Sequence, residues 1–259
     1  MEIIINDDHQ VLAKIVVDSI EAMVRQKPDS VLGVATGSTP IPIYEELTRR
    51  VEAGLDLSQI RIFGLDEYVS LDENNAQSYA YFIRQHIIEP CKINPANVRL
   101  LSGVAEDLKA EAADFEAAIK AAGGVDLQIL GVGHNGHIAF NEPTSSLASR
   151  TRRVSLTEKT IEANSRFYNS VDEVPRHAIS QGIGTILEAR HLVMLAYGEE
   201  KGYAVKEMIE GPVSAMMPAS ALQLHPHVSV LIDEGAAKTL QKADFYKFEW
   251  SSKETQTLD

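Results

Sequence analysis

The sequence predicts an α/β fold, a doubly wound and mostly parallel sheet with helices on both faces (Rossmann-like). Six short runs are almost continuously apolar, which is typical of parallel strands covered on both faces. Segments with apolar residues three and four positions apart alternate with these runs, as in amphipathic helices. Such an alternation indicates a doubly wound sheet.

The predicted elements follow one another in chain order. The strands are expected at residues 2–6, 30–36, 59–65, 125–133, 191–198 and 227–233. The helices are expected at residues 7–25, 43–53, 78–88, 107–121, 201–209 and 234–242. Because α/β domains of this length are often single, we expect one domain over residues 1–259 that ends in a polar tail at 251–259.

One segment, residues 147–174, departs from this alternation. It is rich in Ser, Thr, Arg and Asn, its apolar spacing is weak, and it directly follows the glycine-rich stretch at 125–143. Long excursions beside a ligand crevice are often lids, so we expect either a lid or a plain pair of surface helices here.

The composition bounds the function. A net charge of -13 argues against a nucleic-acid partner, because phosphate backbones are bound by clustered Lys and Arg. No apolar run approaches the roughly 18 residues needed to span a bilayer, and the N-terminus lacks signal-peptide features, so we expect a cytoplasmic protein without a membrane partner. The single cysteine, Cys91, excludes an internal disulfide and is expected to serve packing or the surface.

The stretch VDLQILGVGHNGHIAFNEP, residues 125–143, combines a strand with polar groups at its carboxyl end. Ligands of open α/β sheets bind at such ends. His137 can exchange a proton near neutral pH, Glu142 can orient it, and Asn135 or Asn141 can fix the geometry by hydrogen bonds.

Two other interpretations of this stretch stay open. Glycine and asparagine after a buried strand also form plain tight turns. His134 and His137 with Glu142 could hold a metal ion, although HNGH on a turn lacks the helical register of a zinc motif.

A second motif, ATGSTP at residues 35–40, lies between a predicted strand and a predicted helix. Gly37 permits close backbone approach, while Ser38 and Thr39 offer hydroxyls. A helix N-terminus after such a turn can bind a phosphate. Simple capping of the helix by the hydroxyls is the alternative.

Two adjacent carboxylates, Asp66 and Glu67, follow the third predicted strand. A partly desolvated carboxylate has a raised pKa, which suits it to remove a carbon-bound proton as a general base. The alternative is a capping pair before a loop.

Two cations complete the candidate residues. Lys201 lies at a predicted helix start, where a positive charge is unfavourable for the helix dipole and a bound phosphate would explain it. Arg166 lies in the polar segment. Taken singly, each is equally explained as a solvated surface charge.

These motifs together resemble a known family. TGSTP, GLDEYVSL, GVGHNGHIAFNEP, SSLASRTR, ANSRF and LQLHP, in this order and over the chain to about Trp250, are similar to glucosamine-6-phosphate deaminase, also called glucosamine-6-phosphate isomerase. The resemblance implies conversion of D-glucosamine 6-phosphate and water to D-fructose 6-phosphate and ammonia in amino-sugar catabolism. It also implies that no metal or organic cofactor takes part.

The resemblance also implies roles for individual residues. His137, held with Glu142 and Asn135, would open the sugar ring, and Asp66 would move the proton from carbon 2 to carbon 1. The positions that match the family's phosphate site are Ser38, Thr39, Arg166 and Lys201.

The sequence departs from the family pattern in two places. Asn135 stands where several members have an aspartate. Ser145, Arg152 and Tyr246 match an allosteric site of hexameric members, but Val154 replaces a lysine there. Allosteric activation is therefore in doubt, while a homo-oligomer such as a hexamer stays an expectation.

Three other functions share some of these motifs. A 6-phosphogluconolactonase has a similar fold and phosphate loop, but its chemistry gives no reason for Asp66 as a base. A sugar-phosphate sensor would keep TGSTP and could lose the acid-base residues, all of which are present. Deamination of the galactosamine epimer depends on contacts of one hydroxyl, which the sequence leaves open.

Overall fold

The main sheet has seven parallel strands. The structure is a computed structural model, and it describes residues 1–165, 168 and 170–258. In their order across the sheet, the strands are β1 (Glu2–Ile5), β10 (Val228–Ile232), β9 (His191–Ala196), β6 (Leu127–Gly131), β2 (Val31–Val34), β3 (Arg61–Gly64) and β5 (Val98–Arg99). All six predicted strands are confirmed, each slightly shorter than expected.

The chain reverses its direction across this sheet between β2 and β6. From β2 it proceeds outward through β3 to β5, and from β6 it proceeds outward the other way through β9 to β10. The carboxyl ends of β2 and β6 therefore flank the switch point, where ligands of such folds bind.

The helices contribute apolar residues to the core around this sheet, except the helix at Glu158–Asn164, whose Ile161 belongs to a second, smaller apolar cluster. They are α1 (His9–Gln26), α2 (Ile41–Glu52), α3 (Tyr79–Ile83), α4 (Leu108–Ala121), α5 (Glu158–Asn164), α6 (Ile183–Ile186), α7 (Gly202–Ile209), α8 (Glu234–Ala237) and α9 (Ala243–Ser251). Asp8 and Asp107 cap α1 and α4 by accepting backbone N–H groups of the first turn, which is why these helices begin where they do.

Two helical predictions need correction. The helix expected at 78–88 changes from α to a π-helix at Arg84–Ile88. The helix expected at 234–242 ends at Ala237. Helix α9 was not predicted; it contacts β1 and extends to Ser251, the first residue of the expected polar tail.

A second, three-stranded antiparallel sheet was also not predicted. It pairs β4 (Asp66–Tyr68) with β8 (His177–Ser180), and β8 with β7 (Arg152–Ser155). These strands have three or four residues, and burial alternates along β7, so none reads as a continuous apolar run. In its described part, segment 147–174 thus contains β7, the short helix α5 and a 3₁₀ turn, and not a pair of helices.

Two observations concern the environment of Cys91 and the length of the helices. The Cys91 thiol is buried, and burial raises its pKa, so it is an unreactive packing residue. Within the described residues, no helix has the length and apolar character needed to cross a membrane.

Candidate active site

A cavity of about 230 Å³ opens at the carboxyl ends of β2, β3 and β6, beside the switch point. It is large enough for a small polar ligand. Five of the predicted site residues line it: Ser38, Thr39, Asp66, His137 and Lys201. The folding of the sheet therefore brings together side chains that are up to 163 positions apart in the chain, as from Ser38 to Lys201.

One wall of the cavity is the loop between β2 and α2. Gly37 has a φ of 93°, in the left-handed region that glycine adopts without strain, and this turn places Ser38 and Thr39 at the cavity. The N-cap residue of α2 is Pro40, whose side chain has no hydrogen-bonding group. This residue therefore cannot cap the helix with its side chain, and the backbone at the helix start is available for an anion.

Of the two predicted phosphate-binding cations, the structure describes Lys201. Lys201 lines the cavity, and its Nζ donates to the carbonyl oxygen of Val132 at 3.0 Å. Lys201 therefore lines the same cavity as the Ser38 loop. Arg166 lies outside the described residues.

Asp66 lies at the start of β4, half-buried in the cavity wall. Burial raises the pKa of its carboxyl to about 8, with a further contribution from the charge of Glu67. A carboxyl with such a pKa is a stronger base when ionised than an ordinary aspartate, which suits it for proton transfer near neutral pH.

Glu67 has a different role from its neighbour. Its carboxylate is only 2% exposed and accepts hydrogen bonds from the backbone N–H groups of Tyr68, Tyr79 and Ala80 at 2.8, 3.0 and 2.8 Å. Burial nevertheless raises its pKa. Of the two interpretations of this carboxylate pair, the general base thus applies to Asp66, which faces the cavity, and the helix cap applies to Glu67, which caps α3.

His137 and Glu142 face each other across the turn after β6. The imidazole Nδ1 of His137 lies 3.6 Å from Oε2 of Glu142, and the Asn135 side chain donates to the same oxygen at 2.7 Å. Burial would raise the pKa of Glu142, but the imidazole, Thr160 and Asn135 outweigh it and lower the pKa to about 2. Glu142 is therefore an anion at neutral pH, suited to orient His137.

The other asparagine of the turn is structural. The Asn141 side chain donates to the carbonyl oxygens of Ile138 and Gln181 at 2.9 and 2.8 Å and accepts from Arg152 at 2.9 Å. Of the two asparagines considered from the sequence, only Asn135 contacts the acid-base pair.

Two threonines that the sequence analysis did not single out also bind Glu142. Thr157 donates to Oε1 of Glu142 at 3.3 Å, and Thr160 donates to the same oxygen. Thr157 is recognisable in sequence as the N-cap of α5, but no local pattern connects either residue with a carboxylate fifteen or more positions earlier.

His134 lines the cavity next to His137, with 6.3 Å between the ring centroids. Burial lowers its pKa, as do the charges of His137 and Lys201, which favours the neutral ring. In the part of the chain that the structure describes, no group of three or more His, Cys, Asp or Glu side chains could hold a metal ion.

The residues that match an allosteric site are only partly brought together. Arg152 donates to Ser145 Oγ at 3.3 Å, and burial lowers the pKa of its guanidinium. Tyr246 lies on α9, where its hydroxyl donates to Glu210 at 3.3 Å. Val154 lies on the same strand as Arg152, β7, two residues further along.

Known proteins are similar to this chain over almost its whole length. Residues 7–231 match the family described as glucosamine-6-phosphate isomerases/6-phosphogluconolactonase. Glucosamine-6-phosphate deaminase of Arthrobacter sp. (strain FB24) is 50% identical over 254 residues, which covers 98% of each chain. The deaminase of Streptomyces coelicolor is 48% identical over 255 residues, again 98% of each chain.

Solved structures support the fold. A glucosamine-6-phosphate deaminase described as monomeric superposes with a TM-score of 0.90 at 38% identity, over 92% of this chain and 100% of the other. The 6-phosphogluconolactonase of Trypanosoma brucei has a TM-score of 0.71 at 22% identity, over 92% and 98% of the two chains, a likeness of fold alone.

The chain thus has the α/β fold shared by proteins that act on phosphorylated sugars. Within that class it belongs to the glucosamine-6-phosphate isomerase/6-phosphogluconolactonase family, and the resemblance inferred from its motifs is confirmed.

Proposed function

We propose that this chain is a glucosamine-6-phosphate deaminase, which converts D-glucosamine 6-phosphate and water to D-fructose 6-phosphate and ammonia. The observation that carries the proposal is that one cavity is lined by a carboxyl with a raised pKa, that of Asp66, and by the half-buried His137, behind which lies the buried carboxylate of Glu142. Full-length relatives at about half identity have this activity in their names.

The reaction first needs an open sugar chain. His137, oriented by the Glu142 carboxylate, would take the proton of the anomeric hydroxyl and give a proton to the ring oxygen. The bond between carbon 1 and the ring oxygen then breaks, and carbon 1 becomes an aldehyde. Asn135 supports this step by holding Glu142 at 2.7 Å.

The second stage is the proton transfer. Asp66 would remove the proton from carbon 2 while the carbonyl oxygen on carbon 1 takes a proton from the substrate's ammonium group, which gives an enolamine. Asp66 would then return its proton to carbon 1. The resulting imine at carbon 2 adds water and releases ammonia, which leaves the ketone of fructose 6-phosphate. Ser38, Thr39 and Lys201, with Arg166 by resemblance, would hold the phosphate during both stages.

A lactonase is the rival that the fold permits. Opening a lactone requires an activated water and no base for a carbon-bound proton, so it leaves the raised pKa of Asp66 without a role. The lactonase structures also share only about a fifth of the sequence, whereas the deaminase relatives share about half.

The proposal is tested by supplying glucosamine 6-phosphate in the presence of a chelator and measuring ammonia and fructose 6-phosphate. Equal amounts of both products are expected. Galactosamine 6-phosphate and 6-phosphogluconolactone are measured beside it. Lactone hydrolysis without ammonia release would replace the proposal by a lactonase, and saturable binding without turnover would replace it by a sensor.

The pH dependence of the reaction gives a separate prediction. Because the pKa of Asp66 is raised to about 8, its carboxyl is mostly protonated below that pH, and kcat/KM is expected to rise with pH up to about 8. In Glu67→Gln the second cause of the raised pKa of Asp66 is absent, so the rise of kcat/KM with pH should move to lower pH. The measurement is kcat/KM for both proteins across the neutral and alkaline range.

A matched control for that experiment is Glu111→Gln. Glu111 also accepts a backbone N–H, that of Ser102 at 2.9 Å, but it does not line the cavity. Its variant should keep the wild-type pH profile. If the pH profile of kcat/KM is unchanged in Glu67→Gln and thermal melting shows an intact fold, a group other than Asp66 sets the rise with pH.

Other parts of the earlier expectations stay predictions. These are the single domain over residues 1–259, the movement of segment 147–174 as a lid, the absence of metal and cofactor, the homo-oligomer and the cytoplasmic location. Of these, the oligomer is directly measurable by light scattering, and one deaminase with this fold is described as monomeric.

A further inference from the structure

Glu142 is held from two sides by different parts of the chain. Its Oε2 faces the turn after β6, where Asn135 donates at 2.7 Å and Nδ1 of His137 lies 3.6 Å away. Its Oε1 faces α5 and accepts from Thr157 and Thr160. With 7% of its surface exposed, the carboxylate depends on these side chains and not on water for its orientation.

Thr160 is the more closely engaged of the two threonines. It is 3% exposed, and its hydroxyl donates its proton to Glu142. Its Oγ1 lies 3.1 Å from the Thr157 hydroxyl, whose single proton makes a bifurcated hydrogen bond to Thr160 and Glu142. The Thr157 hydroxyl lies farther from the carboxylate, at 3.3 Å, and also accepts the backbone N–H of Thr160. Thr160 lines the cavity as well, as does Asn164 on the same helix.

We infer that Thr160 is a positioning residue for the acid-base pair: its hydroxyl fixes Oε1 of Glu142, so that Oε2 faces Nδ1 of His137. The inference rests on the proposed function, because it gives the pair its role in ring opening. It connects that role with α5, a helix of segment 147–174, which lies outside the motif that carries the pair. A carboxylate that is free to rotate would orient the imidazole less well.

The charges around Glu142 define the expected change in titration. His137 faces it directly, and His134 interacts with it through space, with Lys201 and Lys159 acting on His134 in turn. The Thr160 hydrogen bond is one of the causes that lower the pKa of Glu142. Removing only this bond leaves the other charged groups in place, so the pKa of Glu142 should rise.

The variants are chosen to separate the hydroxyl from the volume of the side chain. Thr160→Val replaces the hydroxyl by a methyl group of similar size, and Thr160→Ser keeps the hydroxyl. Thr185→Val is the matched control, because Thr185 is also buried and donates to a carboxylate, Glu116, at 2.6 Å, although neither residue lines the cavity.

With glucosamine 6-phosphate as substrate, Thr160→Val is expected to lower kcat about tenfold, since it removes a hydrogen bond to a charged acceptor. KM should change little, and the rise of kcat/KM with pH that Asp66 sets should keep its wild-type position. Thr160→Ser should restore most of kcat, and Thr185→Val should lower the melting temperature without lowering kcat. A wild-type kcat in Thr160→Val, or an equal loss in Thr160→Ser, would overturn the inference.

A measurement without turnover keeps this test independent of the proposed function. The side-chain carboxyl carbon of Glu142 can be followed by NMR during an acid titration and assigned by its absence in Glu142→Gln. Thr160→Val should titrate at higher pH than wild type, and identical titrations would overturn the inference. Absence of ammonia release from the wild type would instead refute the proposed function alone.

Discussion

Asp66→Asn is expected to abolish ammonia release from glucosamine 6-phosphate, with kcat lower by about 10²- to 10⁴-fold, the range that a positioned general base contributes. An amide cannot accept the proton of carbon 2, yet it has nearly the size of the carboxyl and fits the same place in β4. Binding of the phosphate ester should persist, because the Ser38 loop and Lys201 form a different part of the cavity wall.

The same substitution has an expected effect on stability. The pKa of Asp66 is raised from 3.8 to about 8, so the fold favours the protonated carboxyl. Between these two values the native state binds more protons than the unfolded state, and stability falls as pH rises. Asparagine carries no charge at any pH, so the melting temperature of Asp66→Asn should exceed that of wild type above pH 8.

These two effects are measured on the same protein samples. Turnover is followed by ammonia release, binding by calorimetry with fructose 6-phosphate, and stability by thermal melting at acidic and alkaline pH. Loss of binding as large as the loss of turnover would mean that Asp66 holds the substrate and does not act as the base. A turnover within a few-fold of wild type would assign the base to another group.

The parts of the fold that were predictable from sequence are those encoded by local patterns. Each strand of the main sheet that was predicted is a nearly continuous apolar run, and some of these strands, such as β9 and β10, are buried at every position. Asp66 and His137 were predictable for a related reason, since each follows such a run at the carboxyl end of a strand, where the sheet exposes side chains to ligands.

The remaining features depend on contacts between distant residues. Strands β4, β7 and β8 acquire their structure from one another, through pairs such as Asp66 with Ser180, and their sequences carry no strong period. Likewise, nothing in the local sequence of Glu67 shows that it caps a helix twelve residues later, or that Thr160 binds Glu142. Such interactions are set by tertiary structure and not by propensity.

Gly133→Ala is expected to lower kcat by about 10²-fold or more, the loss that a misplacement of roughly 1 Å at a catalytic group can cause. A Cβ atom at residue 133 would lie 2.2, 2.3 and 2.5 Å from Cε1, Nε2 and Nδ1 of His137. The backbone there is fixed by the hydrogen bond from Gly133 N–H to the carbonyl oxygen of His137 at 2.9 Å. The imidazole must therefore move away and leave its position 3.6 Å from Glu142.

Gly131→Ala is the matched control for this prediction. Gly131 lines the same cavity, but a Cβ atom there would meet no heavy atom within 4 Å, so this variant should keep both kcat and the melting temperature near wild type. Turnover and thermal melting of the two variants separate displacement of His137 from a general effect of alanine at this wall of the cavity. A Gly133→Ala protein with wild-type kcat would show that the ring position is not required, and with it the proposed role of His137 in ring opening would fall.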